Sequence, residues 1–283
     1  MNTEVSSTGR LVIISGDRPT TLIGERINPT GKRKLAAALL AGNLAIIQAE
    51  AVTQVQAGAD ILDVNVGLAG IDEVSLLPQA VAAIRAVVDV PLCLDSSNPK
   101  ALEAALKIYQ GKAIVNSVNY QESRLREILP LVKEYGAAVI GLTQDDKGIP
   151  STATGRVAIA EKLIERAMAL GIPCEDIIID CLALTVGADS QAGAVTLQAI
   201  KEVRTKLGVN QTLGASNISF GLPKREVLNQ VFLALVIFAG VTCPMVDVTK
   251  VMPMVTATDL ILGRDNFARR YIKVYRQLTT LNS

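Results

Sequence analysis

Six times along the chain, an apolar-periodic helical stretch runs into a glycine, a short spacer and then an apolar strand-like segment. The glycines are Gly58, Gly111, Gly136, Gly171, Gly208 and Gly240. Glycine just past a helix adopts the left-handed conformation that ends it, because there is no Cβ to clash. The stretch before Gly58 shows the helical half: Asn43 is placed to cap it, and Leu44, Ile47, Ala51 and Val55 share one face. Before Gly111, Asn98 serves as the cap and Pro99 takes the first helical position. The strand halves read ILDVN (61–65), IVNSVN (114–119), AVIGLT (138–143), IIID (177–180), TLGASN (212–217) and PMVDV (244–248). TLIGERIN (21–28) and PLCLDS (91–96) complete a set of eight. Their nearly continuous apolar character is what parallel strands covered on both faces require. Eight such strands alternating with helices predict an α/β protein with a single (β/α)8 TIM barrel over residues 21–283. Residues 1–20 form a short N-terminal extension to it. A doubly wound open sheet is the competitor, but no GxGxxG turn follows the first strand.

Composition narrows the function classes. The 28 basic and 27 acidic side chains leave a formal net charge of +1, which gives no support for a nucleic-acid or membrane-surface role. The longest apolar run, Val231–Val241, is too short for a bilayer, which needs about 18 or more residues. The start of the chain has no basic segment leading into a long apolar one, so no signal peptide is expected. Cys93, Cys174, Cys181 and Cys243 form no CxxC pair and read as reduced thiols, which makes a cytoplasmic protein the default. There is no histidine. A Ser–His–Asp triad and an HExxH zinc helix are therefore excluded, no metal site is expected, and activity should survive a chelator.

In a (β/α)8 barrel the active site lies at the C-terminal ends of the strands. Those ends carry, in order, Glu25, Arg26 and Asn28; Asp63 and Asn65; Asp95 and Ser96; Asn116 and Asn119; Thr143 and Gln144; Asp180; Ser216 and Asn217; and Asp247. Strand ends meet water and turns favour Asp and Asn, so one such residue decides nothing. Eight polar ends on otherwise apolar strands point to a site. Carboxylates and amides present the donor and acceptor patterns that suit a flat, amide-rich heterocycle.

The motifs LIGERIN, GADILDVNVG, LCLDSSN, IVNSVN, VIGLT, IIID and GASNISFG follow the order found in the pterin-binding barrels. From about Leu22 to Leu278 the chain resembles the methyltetrahydrofolate:corrinoid methyltransferases, which are similar to the folate domain of cobalamin-dependent methionine synthase. The resemblance implies that Asp95, Asn116 and Asp180 hydrogen-bond the pterin ring. It places Asn217 near N5, where the methyl group sits, with Gly214 and Ser216 flanking it and Arg225 beside the ring. Asp63 and Asn65 match a family motif too, as ring contacts or as braces of the barrel top. Phe220 departs from the pattern, since a glutamine can occur there. Dihydropteroate synthases share the barrel, and an enzyme of that kind is one alternative. Their Glu-Ser-Thr-Arg loop after the second strand and Ser-Arg-Lys segment after the seventh are not matched by VNVGLAGIDEV and SNISFGLPKRE. A non-catalytic folate-binding subunit is the other alternative.

Methyl transfer from N5 needs a proton or strong hydrogen bond there to improve the leaving group. An Asp of ordinary pKa near 3.9 is ionised at neutral pH, so the resemblance casts Asn217 as the N5 donor, acting with Asp180 as an ionised partner. The implied substrates are tetrahydrofolate or 5-methyltetrahydrofolate and a corrinoid (cobalamin). No Asp-x-His-x-x-Gly cobalamin motif can exist without histidine, so the corrinoid belongs to a partner protein. The setting implied is the folate side of an anaerobic demethylase or acetyl-CoA pathway system. The helical stretch EVLNQVFLALVIFAG is apolar on more of its circumference than one barrel face needs, and with the resemblance this leads to a homodimer expectation.

Overall fold

All six glycines have positive φ, between +60° at Gly136 and +144° at Gly240, and all but Gly111 stand at the end of a helix. The computed structural model, which describes residues 1–281, places eight parallel strands between the helices they end. Two strands precede the barrel: β1 (Asn2–Ser6) and β2 (Leu11–Ser15), an antiparallel hairpin. The barrel strands are β3 (Ile23–Ile27), β4 (Ile61–Asn65), β5 (Leu92–Asp95), β6 (Ile114–Tyr120), β7 (Ala138–Asp145), β8 (Ile177–Asp180), β9 (Gln211–Thr212) and β10 (Met245–Val246). They are hydrogen-bonded in chain order with β10 beside β3, and a single parallel bridge from Gly214 to Met245 closes the cylinder. The helix caps expected at Asn98, with Pro99 behind it, are in place. Asn43 stands one residue before the N-cap Leu44 and accepts the Ala45 amide at 3.0 Å.

The strands divide two cores. Between strands and helices lies the larger apolar layer. Inside the barrel, Ile23, Ile61, Cys93, Ile114, Ala138, Ile140, Ile178 and Cys243 pack against Val5, Val12 and Ile14 of the hairpin. The N-terminal extension is thus a stopper in the bottom of the barrel. Burying each such side chain stabilises by roughly 1.5–3 kcal/mol. The buried Asn210 ties the stopper in polar terms, donating to Thr3 Oγ1 and to the Ile14 carbonyl, each at 2.9 Å. At the rim, Ser6 and Lys112 exchange backbone bonds of 2.9 and 3.0 Å. Gly111 does not end its helix as the sequence suggests, because that helix stops at Ile108 and Tyr109 is already extended; the glycine instead admits the hairpin, since a Cβ there would lie 2.3 Å from the Ser6 carbonyl oxygen.

The last two barrel strands are shorter than the sequence suggests. After Thr212 the chain turns into a 3-10 helix, Ala215–Ser219, held by the bonds from Asn217 N–H to Gly214 and from Phe220 N–H to Asn217. Asn217 therefore sits on an exposed turn, not at a buried strand end. Asp247 likewise begins the following helix.

Candidate active site

Asn65, Asp95 and Asn116 lie at one level of the barrel mouth: Asn65 pairs in register with Asp95, and Asp95 with Asn116. Asn65 donates from Nδ2 to Asp95 Oδ2 at 2.9 Å and accepts the Gly67 amide at 2.9 Å. Asp63, 2% exposed, accepts from Asn116 Nδ2 at 3.1 Å. Asp63 and Asn65 thus brace Asn116 and Asp95. Burial, with Asp95 close by, holds the Asp63 carboxyl well above the usual range. Burial also raises Asp95, and Glu73 adds to it.

Across the mouth, Asp180 ends β8. Its Oδ1 accepts the Leu182 amide at 2.6 Å, and Leu182 itself has φ of +60°. Arg156 underlies this turn. It is 1% exposed, and its guanidinium donates to the carbonyls of Cys181 (2.9 Å) and Leu182 (2.7 Å), to Thr196 Oγ1 (3.0 Å) and to the Pro150 carbonyl (3.0 Å). The expectation of an ordinary ionised Asp180 does not hold. Burial pushes its carboxyl up to about 7, against the opposing pull of the Leu182 amide and of Arg156.

Asp95, Asn116 and Asp180 share a pattern. Each has one polar atom committed to the protein, and among the described residues no protein group bonds the remaining side-chain oxygen. Three acceptors, two of them carboxyls that burial raises above the usual carboxylate range, suit a ring edge that presents several N–H groups.

The 3-10 turn after β9 carries Asn217. A Cβ on Gly214 would come within 3.2 Å of Asn217 Nδ2, so glycine at that position leaves the amide room. Arg225 clamps the turn from beside it, donating to the Ser216 carbonyl (2.9 Å) and Ser219 Oγ (3.0 Å). Its guanidinium lies 5.6 Å from the exposed Phe220 ring. Ser216 thus enters the site by its backbone, and Arg225 acts on the turn.

The third side of the mouth joins β3 and β10. The β3–β4 ladder breaks register between Gly24 and Ile27. The freed Arg26 amide donates to Gln54 Oε1 at 3.0 Å, and a Cβ on Gly24 would meet that same oxygen at 2.5 Å. The irregularity lets consecutive residues both serve the mouth. Arg26 is held by Glu50 through a fork of 2.7 and 2.9 Å and reaches Asp247 at 3.2 Å. Glu25 is pushed up to about 7 by burial and by Asp247. Beside it opens a cavity of about 420 Å³, lined by Glu25, Lys32, Ser216, Arg225, Asp247 and Lys250 among others, with Asp95, Asn116 and Asp180 outside it.

The residues that sequence reasoning passed over are Gln54, Arg156, Glu50, Lys32 and Lys250. Two of them carried a signal. Arg156 falls on the same helical stripe as the buried Ala160, Leu163 and Ala167, and Gln54 on that of Ile47 and Ala51. A polar group on an apolar stripe marks a buried hydrogen-bonding task.

Comparison with known proteins gives the same barrel a context. The family described as pterin binding enzyme matches residues 24–247. The methylcorrinoid:tetrahydrofolate methyltransferase of Eubacterium limosum is 30% identical over 266 residues, spanning 90% of this chain and 96% of that protein. The methionine synthase of Mycobacterium tuberculosis is 35% identical over 263 residues, 88% of this chain but 22% of its own length. Among solved structures, a Yersinia pestis dihydropteroate synthase with a pterine-sulfa conjugate superposes with a TM-score of 0.72 at 15% identity, covering 93% of this chain and 100% of that one. That likeness establishes the fold alone.

Proposed function

The chain belongs to the pterin binding enzyme family, and on that premise we propose that it transfers a methyl group between N5 of tetrahydrofolate and the cobalt of a corrinoid carried by a partner protein. The observation that carries the reading is the trio of Asp95, Asn116 and Asp180, each with one side-chain oxygen left over for a ring. Relatives at 30–35% identity that are named as methyltransferases or methionine synthases favour methyl transfer over pteroate synthesis. The methylcorrinoid:tetrahydrofolate methyltransferase relative favours the folate side of a corrinoid-dependent system, which we read as a demethylase or acetyl-CoA pathway system.

In this reading the trio fixes the pterin plane. Asp180, close to half-protonated at neutral pH, can donate to a ring nitrogen or accept from a ring N–H. Asn217 presents its amide toward N5, with Gly214 leaving it room and Arg225 holding the turn. As the N5–carbon bond breaks, the electron pair stays on N5, and a hydrogen bond from Asn217 Nδ2 stabilises it until a proton arrives. The interaction strengthens as charge develops, so it lowers the barrier rather than only tightening binding. Because the amide sits on an exposed turn, a bulky corrinoid can approach it without the barrel opening.

The helix Arg225–Ala239 exposes Val227, Val231, Leu235 and Phe238 on its outer side, a patch that favours a homodimer. Sedimentation showing only a 29.9 kDa species at micromolar concentration would remove that part. The central test is to mix the protein with 5-methyltetrahydrofolate and cob(I)alamin and follow the corrinoid spectrum. Conversion to methylcobalamin is expected. Tight folate binding without any conversion would identify a non-catalytic folate binder instead.

A further inference from the structure

The three proposed ring contacts are braced in two ways. Asn65 supports Asp95, and Asn116 leans on Asp63, side chain to side chain between strands. Asp180 instead takes a backbone brace, the Leu182 amide, which lies two residues away in the loop after β8. A backbone amide aims well only if the loop that carries it is fixed. At Leu182 that loop takes the left-handed bend, φ +60°, which residues other than glycine seldom adopt unaided.

Arg156 fixes it. This is the largest fully buried side chain among the described residues, and it stands in the first turn of the helix Ala153–Ala169. Its Nη1 donates to both carbonyls of the bend, those of Cys181 and Leu182, and its Nε donates to Pro150 in the loop before its own helix. Thr196, on the helix Ala192–Lys206, accepts from the same Nη1 and donates to the Leu182 carbonyl at 3.2 Å. Two loops of the mouth are thus tied to one side chain. A Cβ on Gly155 would come within 2.8 Å of the Pro150 ring, so glycine there lets the first loop close on the helix start.

Charge adds to the case. A guanidinium taken out of water is costly and is normally paired with a carboxylate. Among the described residues no carboxylate lies within ion-pair distance of Arg156, whereas Arg10, Arg26 and Arg264 each have one. Burial raises Asp180, and the two influences that oppose it, the Leu182 amide and the Arg156 charge, both come from this assembly. An apolar side chain could fill the space, but it could neither hold two carbonyls nor place a positive charge near Asp180.

Resting on the folate reading above, we propose that Arg156 is a positioning residue for the methyl-transfer site, holding the Cys181–Leu182 bend so that the Leu182 amide occupies Asp180 Oδ1 and leaves Oδ2 to the pterin. It touches no substrate and acts through Asp180.

The test is a cycle of substitutions read as dissociation constants for 5-methyltetrahydrofolate. Arg156→Gln is made in the parent and in Asp180→Ala. It should weaken binding about tenfold in the parent and about twofold or less in Asp180→Ala, a coupling within the range for residues of one hydrogen-bond network. Thr196→Val removes only the hydroxyl beneath the bend and should show the same dependence on Asp180 at about threefold. It carries the test if Arg156→Gln does not fold. No loss in the parent, or equal losses in the parent and in Asp180→Ala, makes Arg156 a general support of the barrel and overturns the proposal while leaving the folate reading intact. A parent that does not bind the folate, or an Asp180→Ala that binds it as tightly as the parent, overturns the ring reading as well.

Discussion

At its N-terminal end the barrel packs Val5, Val12 and Ile14 of the hairpin against Ile23, Ile61 and Ile178; at its C-terminal end the same strands finish on Glu25, Asp63 and Asp180. The lower end is dry, and the buried Asn210 there has its hydrogen bonds made. The upper end holds carboxyls that burial drives toward neutrality and, on Asp95, Asn116 and Asp180, an oxygen that no protein group among the described residues bonds. Each strand is therefore half structural and half functional along its own length. Substitutions should fall into two classes, with stability lost at one end and activity at the other, and with some stability gained where activity is lost.

The largest expected effect lies at the bottom. Ile14→Ala should cost about 2–5 kcal/mol of unfolding free energy in a denaturant titration, the range for emptying a fully buried aliphatic site. Folate affinity of the molecules that remain folded should hold. A parallel loss of affinity would break the separation between the two ends.

Next comes Asn217→Ala. Single-turnover transfer to cob(I)alamin at saturating folate should slow about 100-fold, roughly 2.7 kcal/mol, the lower part of the range for one preorganised donor. The exposed position of Asn217 makes its unfolding midpoint nearly unchanged. A rate within about threefold of the parent would reduce it to a positioning residue.

Asp180→Ala should weaken folate binding by about 1.5–3 kcal/mol, the range for a hydrogen bond to a charged group. Asp180→Asn should impair both binding and rate while raising thermal stability at pH 8. A variant less stable than the parent at that pH would place Asp180 among the structural residues.

The smallest effect is on pH dependence. A carboxyl raised from its ordinary value to about 7 binds a proton in the folded chain that the unfolded chain has already lost. Stability therefore falls as pH rises from about 4 to about 7 and levels off above. The melting temperature should drop across that window by about 2–4 °C for each kcal/mol. In Asp180→Asn the slope should be shallower, and an unchanged slope would assign it to Glu25 and Asp63.

The bottom of the barrel was only partly legible in the sequence, and the top was legible in its residues more than in its shape. Glycines that end helices write the repeat openly, because left-handed backbone tolerates few alternatives. Asp95, Asn116 and Asp180 were visible because each interrupts an apolar strand. The hairpin stopper was missed, since Val5, Val12 and Ile14 alternate over stretches too short to show what they cover. The turn at Asn217 was missed because Leu213 and Ala215 read as a continuing strand, while local hydrogen bonds wind the chain into a 3-10 helix. Gln54 and Arg156 depend on partners 28 and 26 residues away, Arg26 and Leu182, and no local pattern reports such pairing.

The cylinder closes at β9 and β10, each two residues long, through the bridge between Gly214 and Met245 and the bonds that the Thr242 and Cys243 amides give the Gln211 carbonyl. With so short a ladder, this seam is where local opening costs least. Backbone amides of 211–217 and 243–247 should exchange with deuterated solvent sooner than those of β4 to β7. The proposed methyl-handling amide of Asn217 thus hangs beside the shortest strands of the barrel, while the proposed ring contacts Asp95 and Asn116 stand on longer ones. A folate held firmly along one edge could then be presented to a large, separately tethered acceptor by a few residues yielding at the seam, with the rest of the cylinder still.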